Sequence, residues 1–122
     1  MKNVLIVDDE QQTIEVFQAA LSALGYQVTV ADNGKNALEK VKNQKFDIII
    51  LDQMMPDMSG NDVIQILKQD EATKNIPVVI LTNYGEVGLV KDAIAAGASD
   101  YILKYQMTPD DLAEKIKKLV GE

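Results

Sequence analysis

Apolar runs of four to six residues alternate along this chain with longer segments whose apolar residues return every three or four positions. The first run, residues 3–7, ends in Asp8 and Asp9. A helical period follows over residues 11–24, with Ile14, Phe17, Leu21 and Leu24 on one face. Gly25 stands where a left-handed helix cap is wanted. YQVTVA then alternates polar and apolar residues, as a strand with one wet face does, and NGKNALEKVKNQ reads as a shorter helix. FDIIILD supplies a third strand. Ser59 and Asp62 have the spacing of a capping box, with Asp in place of the usual Glu, and open a helix to residue 69. PVVILT is the fourth strand. The next helix, residues 86–96, is stopped by Gly97 and contains Gly88, which weakens it by up to about 1 kcal/mol relative to Ala. DYIL is the fifth strand. Thr108, Pro109, Asp110 and Asp111 then give a cap, a first-turn proline and two acids, which start a last helix running to residue 120.

Strands alternating in this way with helices imply a parallel sheet covered on both faces. VLIV, IIIL and VVIL are apolar at every position, as strands buried on both sides must be. YQVTVA is half polar and DYILK is flanked by charge, so both suit sheet edges. The simplest solution is a doubly wound (βα)5, flavodoxin-like three-layer α/β sandwich, with a five-stranded parallel sheet in the order 2-1-3-4-5 and residues 1–122 forming one domain. Ligands of such sheets bind at the carboxyl ends of the strands. Those ends carry Asp8 and Asp9, then Asp52, Thr82 and Lys104. The order makes strands one and three neighbours, so three carboxylates converge, and such a group persists only beside a compensating cation.

Composition narrows the chemistry. The formal charge of −7 argues against a nucleic-acid or anionic-membrane partner. All 12 cationic residues are lysines, so no guanidinium fork exists for phosphate. The absence of histidine removes Ser-His-Asp and Cys-His catalysis, and the absence of cysteine removes disulfides and thiolate metal sites. A cysteine-free chain is compatible with a cytoplasmic location. No apolar run approaches the roughly 18 residues a membrane span needs, and the acids at 8–10 interrupt any signal-peptide pattern. Oxygen donors alone favour Mg²⁺, which takes one or two carboxylates, waters and a phosphate. Each residue also has a plainer reading: Asp8, Asp9 and Glu10 as partners of a helix dipole, Asp52 as a turn former, Thr82 as a strand residue, Lys104 as solvated surface. Their joint placement at four strand ends favours a site.

VLIVDDE, DIIILDQMMPDMSG, VVILT and GASDYILK, in this order and separation, closely resemble the response-regulator receiver domain of single-domain, chemotaxis-regulator type, over essentially the full chain. The resemblance implies that Asp52 accepts a phosphoryl group from a histidine kinase or phosphotransfer protein. It implies that Asp9, Asp52 and the backbone carbonyl of Met54 bind Mg²⁺ directly, with Asp8 acting mainly through a bound water. Thr82 and Lys104 would each meet a phosphoryl oxygen, and Tyr101 occupies an aromatic switch position paired with Thr82. The output surface would be the fourth helix, fifth strand and fifth helix. The chain ends after the fifth helix, so we expect it either to act alone on a protein target or to be part of a longer protein, and the missing arginines point to a monomer.

Three departures from the family pattern stand out. Tyr105 replaces the usual proline after the lysine, so a trans peptide or a remodelled loop is expected there, because a cis bond before a non-proline residue costs about 2.5–4 kcal/mol. Met54, Met55 and Met58 are read as loop residues packing over the core. Met54 and Tyr84 hold positions that tune hydrolysis, and neither can align a water, which implies a long-lived phosphoform. Rival readings are a pseudo-receiver used as a phosphorylation-independent interaction module, a Mg²⁺ phosphohydrolase, which would want an acid where Met54 stands, and an FMN carrier, whose phosphate the acidic turn would repel.

Asn83 stands where the family usually has a small residue, and its larger polar side chain is expected to narrow access to Asp52 or to hydrogen-bond the phosphoryl group. Acetyl phosphate should therefore load the natural protein more slowly than an Asn83→Ala variant, and equal rates would remove this role for Asn83.

Overall fold

The computed structural model describes residues 2–121. Strands β1 (Asn3–Val7), β2 (Gln27–Ala31), β3 (Ile48–Leu51), β4 (Val78–Thr82) and β5 (Asp100–Leu103) form one parallel sheet in the order β2-β1-β3-β4-β5. Helices α1 (Gln11–Ala23), α2 (Gly34–Asn43), α3 (Gly60–Lys68), α4 (Val87–Ala96) and α5 (Pro109–Leu119) connect and cover it. The order and the alternation are those the sequence predicts. A helix sits between each pair of consecutive strands because parallel neighbours need a crossover connection.

The strand period of two decides which helix covers which face. Val4, Ile6, Ile48, Ile50, Val79, Leu81 and Ile102 pack with Ile14, Phe17 and Leu21 of α1 and with Leu112, Ala113 and Ile116 of α5. The alternate residues, Leu5, Val7, Ile49, Leu51, Val78 and Ile80, pack with Ala37 of α2, with Val63, Ile64 and Leu67 of α3, and with Ala93 of α4. Because β1, β3 and β4 are buried on both sides, every side chain from Val4 to Val7, Ile48 to Leu51 and Val78 to Thr82 lies within the protein. Register fixes the site. Val7 pairs with Leu51, so Asp8 and Asp52 leave the sheet side by side.

Both expected capping boxes form: Ser59 accepts from Asp62 N–H, Thr108 accepts from Asp111 N–H, and each acid returns a bond to its cap residue. Gly25 takes the left-handed conformation at φ +91. Leu24, expected on the buried face of α1, is 49% exposed. The helix ends at Ala23, and the turn through Gly25 brings Tyr26 into the core instead. The methionine expectation holds for Met55 and Met58, which pack partly buried against this second core cluster, but not for Met54, which is 48% exposed on the turn after β3.

That turn is held at two places. The Asp57 carboxylate accepts from Gly34 N–H at 2.9 Å and Lys35 N–H at 2.8 Å, the first turn of α2. These two bonds hold Asp57 below its ordinary pKa of 3.8. At the other end Gly60 N–H donates to the Gln53 carbonyl at 2.8 Å. A side chain at Gly60 would bring its Cβ to 2.7 Å from the Asp52 carbonyl oxygen, so only glycine lets α3 begin this close to the end of β3. After β5 the chain makes a 3-10 turn over Lys104–Gln106 with a trans Lys104–Tyr105 peptide, as Tyr105 led us to expect. Among the described residues no helix is long and apolar enough to cross a membrane.

Candidate phosphoacceptor and metal site

Asp8 and Asp52 are 2% and 5% exposed, which is unusual for carboxylates. They stay because Lys104 reaches across from the turn after β5. Its Nζ lies 2.8 Å from Asp8 Oδ2 and 3.6 Å from Asp52 Oδ2, and it also bonds the half-exposed Glu10 carboxylate. Burial alone would push the Lys104 ammonium down, but its bonds to Asp8 and Glu10 outweigh this and hold it above 10.5. Asp8 is displaced the other way: burial raises it above 3.8, with Lys104 and the Glu10 N–H offsetting part of the rise and the Asp52 charge adding to it. Asp8 also accepts from Glu10 N–H at 2.9 Å, and the Glu10 carboxylate reaches the pocket through its contact with Lys104.

Carboxylate oxygens of Asp8, Glu10 and Asp52 all lie within 4.8 Å of one another. This is a hard, all-oxygen donor set without nitrogen or sulfur, and it fits Mg²⁺. The membership differs from the sequence expectation in one residue. Asp9 lies exposed on the turn, outside this group, and Glu10 is inside it. Three consecutive acids give no pattern that says which will turn inward; here Glu10 is held inward by its contact with Lys104.

Thr82, fully buried at the end of β4, has its Oγ1 3.4 Å from Tyr84 N–H. Tyr101 neighbours Ile80 in the sheet, packs half-buried on the α3–α4 side, and donates its hydroxyl to the Tyr84 carbonyl at 2.6 Å. Asn83 and Tyr84 are exposed on the loop after β4. The Asp52 carboxylate lies 3.5 Å from Met54 N–H, so the acceptor and the turn carrying the Met54 carbonyl are joined locally. The structure therefore brings Asp8, Asp52 and Lys104 into contact, with Met54 next to them, and links Thr82, Tyr84 and Tyr101 through a shared loop. Sequence reasoning missed Glu10 and also Gln53, a fully buried amide directly after Asp52. A second polar residue between Asp52 and the methionines of the turn was the available signal.

The family described as response regulator receiver domain matches residues 4–117. The chain belongs to the response-regulator receiver family. It is 37% identical over 119 residues to the phosphate regulon transcriptional regulatory protein PhoB of Pseudomonas aeruginosa, covering 98% of this chain and 52% of PhoB. It is 39% identical over 120 residues to the transcriptional regulatory protein ZraR of Escherichia coli K12, covering 98% of this chain and 26% of ZraR. The receiver thus spans about half of the first relative and about a quarter of the second. Among solved structures it resembles the chemotaxis response regulator CheY4 of Vibrio cholerae, with TM-score 0.90, 28% identity and 98% of each chain covered. A CheY-like receiver domain protein from Methanospirillum hungatei gives TM-score 0.92 at 29% identity, with 98% and 94% covered. Membership of this family means phosphorylation-dependent signalling within two-component systems.

The charge balance of the receiver's pocket can be tested without any kinase. In metal-free buffer at neutral pH, Lys104→Met should lower the unfolding free energy by on the order of 2 kcal/mol, because it strands two buried carboxylates. Asp52→Asn should raise it by removing the like charge beside Asp8. Folding favours the protonated form of Asp8, so the Lys104→Met deficit should shrink as pH falls through Asp8's raised pKa. Urea melts between pH 7 and pH 4 measure both effects (about 3.9 being the unfolded reference for Asp). A Lys104→Met protein as stable as the natural one would show that this lysine is not the compensating charge.

Proposed function

We propose that this receiver is a phosphorylation-dependent switch whose acceptor is Asp52. The observation that carries the reading is a buried aspartate at the end of a central strand, held beside a second buried carboxylate by one lysine that reaches both. An Asp52 oxygen attacks the phosphorus of a phosphohistidine on a histidine kinase or phosphotransfer protein. The P–N bond breaks and the imidazole leaves with its electron pair, so the phosphoryl group ends as an acyl phosphate.

Asp8, Asp52 and the Met54 carbonyl would hold Mg²⁺ with Glu10 as a further oxygen donor, and Asp9 would join them by swinging in from its exposed place on the same turn. When bound, the ion neutralises charge on the transferring group. Lys104 supplies the second positive charge, and its present position within reach of Asp52 means a short swing suffices. The Thr82 hydroxyl meets a phosphoryl oxygen. In doing so it draws the loop after β4, to which Tyr101 is bonded through the Tyr84 carbonyl, and the aromatic ring follows. Three apolar side chains exposed beyond that loop, Val87, Ile94 and Tyr105, support the α4–β5–α5 surface as the place where a downstream protein reads the switch. The receiver is cytoplasmic and monomeric in this reading, and its own phosphatase activity is weak.

Intact-mass analysis after acetyl phosphate and Mg²⁺ treatment tests the acceptor directly. One added phosphoryl group should appear on the natural protein and map to Asp52, with none on Asp52→Asn. Lys104→Met should load about 10–100-fold more slowly. Equal labelling of Asp52→Asn, or a phosphoryl group mapped elsewhere, would overturn the assignment.

A further inference from the structure

The Lys104 ammonium has three N–H groups to give, and the structure shows where they go. Asp8 Oδ2 takes one at 2.8 Å, and Glu10 Oε1 takes another. Asp52 Oδ2, at 3.6 Å, lies within reach of the charge but beyond a hydrogen bond. The lysine that the acceptor needs is therefore held by two acids of the turn after β1. These two acids differ. The Asp8 side chain is 3% exposed and also takes the Glu10 N–H, so it stays where it is. The Glu10 side chain is 52% exposed and can turn away without stranding a buried charge of its own.

A plainer role is open to Glu10, and it does not take it. It is the N-cap residue of α1, a helix with no acid in its first turn. A carboxylate there would ordinarily face the free N–H groups of the helix start. The Glu10 side chain makes no such cap bond and instead meets Lys104, 94 residues further along the chain. Because one partner is half in water, the pair is screened, adds little to stability and exchanges readily. A second destination for the carboxylate lies close by. One Glu10 oxygen is within 4.8 Å of oxygens of Asp8 and Asp52, so a cation held by those two acids would be in its range as well.

We propose that Glu10 is a positioning residue for Lys104: in the metal-free receiver it keeps the ammonium drawn off Asp52, and it gives the ammonium up when its carboxylate turns to bound Mg²⁺. This deepens the reading of Asp52 as the acceptor and rests on it. The exchange leaves Lys104 on Asp8 and frees one N–H for a phosphoryl oxygen at Asp52. The two positive charges that phosphoryl transfer needs, ion and lysine, then become available together. Without the exchange the lysine stays occupied, and Asp52 meets an anionic donor with too little positive charge beside it.

The test reads the Lys104 ammonium itself, by proton–nitrogen NMR of the lysine side chains in the full chain, with Lys104→Met assigning the resonance. In metal-free buffer the Lys104 signal of Glu10→Ala should differ from that of the natural protein. Mg²⁺ alone should shift the natural signal at least about threefold more than the variant's, because only the natural lysine changes partner. With Mg²⁺ and beryllofluoride, whose binding fluorine NMR follows, the difference between the two proteins should shrink at least about threefold, since Glu10 then touches the lysine in neither. Should Glu10→Ala not fold, Glu10→Gln removes the charge at the same length and must move the metal-free signal. Lys104 signals that coincide without metal, equal Mg²⁺ shifts, or a difference that persists with beryllofluoride bound overturns the role of Glu10 and leaves Asp52 the acceptor. A natural protein that does not bind beryllofluoride overturns the acceptor reading beneath it, and the proposal with it.

Discussion

One ammonium group, Lys104 Nζ, lets two buried carboxylates stand next to each other at the end of a hydrophobic sheet. Removing a carboxylate from water is costly, and placing two together adds repulsion; without a cation the group would protonate or the strands would part. Asp8 already shows this tension in its raised pKa. The pairing of β1 with β3 exists to bring these acids together, and β5 sits at the far edge so that the residue after it can reach back over β4. A fold with another strand order would leave the lysine out of range. Function follows from the same imbalance. Two buried acids and a third, half-exposed one answered by one lysine leave net negative charge, so a divalent cation and then a phosphoryl group are welcome where an ordinary ion pair would be closed.

The sheet also insulates. The carboxylates and the lysine sit past the carboxyl ends of the strands, while the tyrosine packs on the face covered by α3 and α4. Communication must pass round the ends of β3 and β4, because the sheet between them is packed solid with branched aliphatic residues that cannot shift gradually. The turn from Asp52 to Gly60 is braced at both ends, by Asp57 on α2 and by Gly60 against Gln53, so it moves as a unit. The loop after β4 is exposed and lightly held, which suits a part that must change position.

Much of this was legible in the residues. VLIV, IIIL and VVIL could only be central strands, since no one-sided sheet tolerates four apolar residues in succession, and the polar ends of those strands marked the pocket. The caps at Ser59, Thr108 and Gly25 were readable because each uses a side chain or backbone freedom that few residues offer. What escaped depends on tertiary geometry. That Glu10 reaches the pocket depends on its contact with Lys104, 94 residues away along the chain, which no periodicity encodes. Leu24 matched the helical stripe, yet the chain had already left the helix. Nothing in the residues set Gln53 apart as a buried amide; its burial follows from how closely Gly60 lets α3 approach, a property of two segments together.

Amide NMR with Mg²⁺ and then beryllofluoride, beside an Asp52→Asn control, probes the whole chain of connection at once, and it suits a protein with no tryptophan. We expect shifts that begin at Asp52, run through Thr82 and reach Tyr101, all absent in the control. A protein that ignores both Mg²⁺ and beryllofluoride, or whose changes stop at Asp52, would contradict the view of this receiver as a working phosphorylation switch.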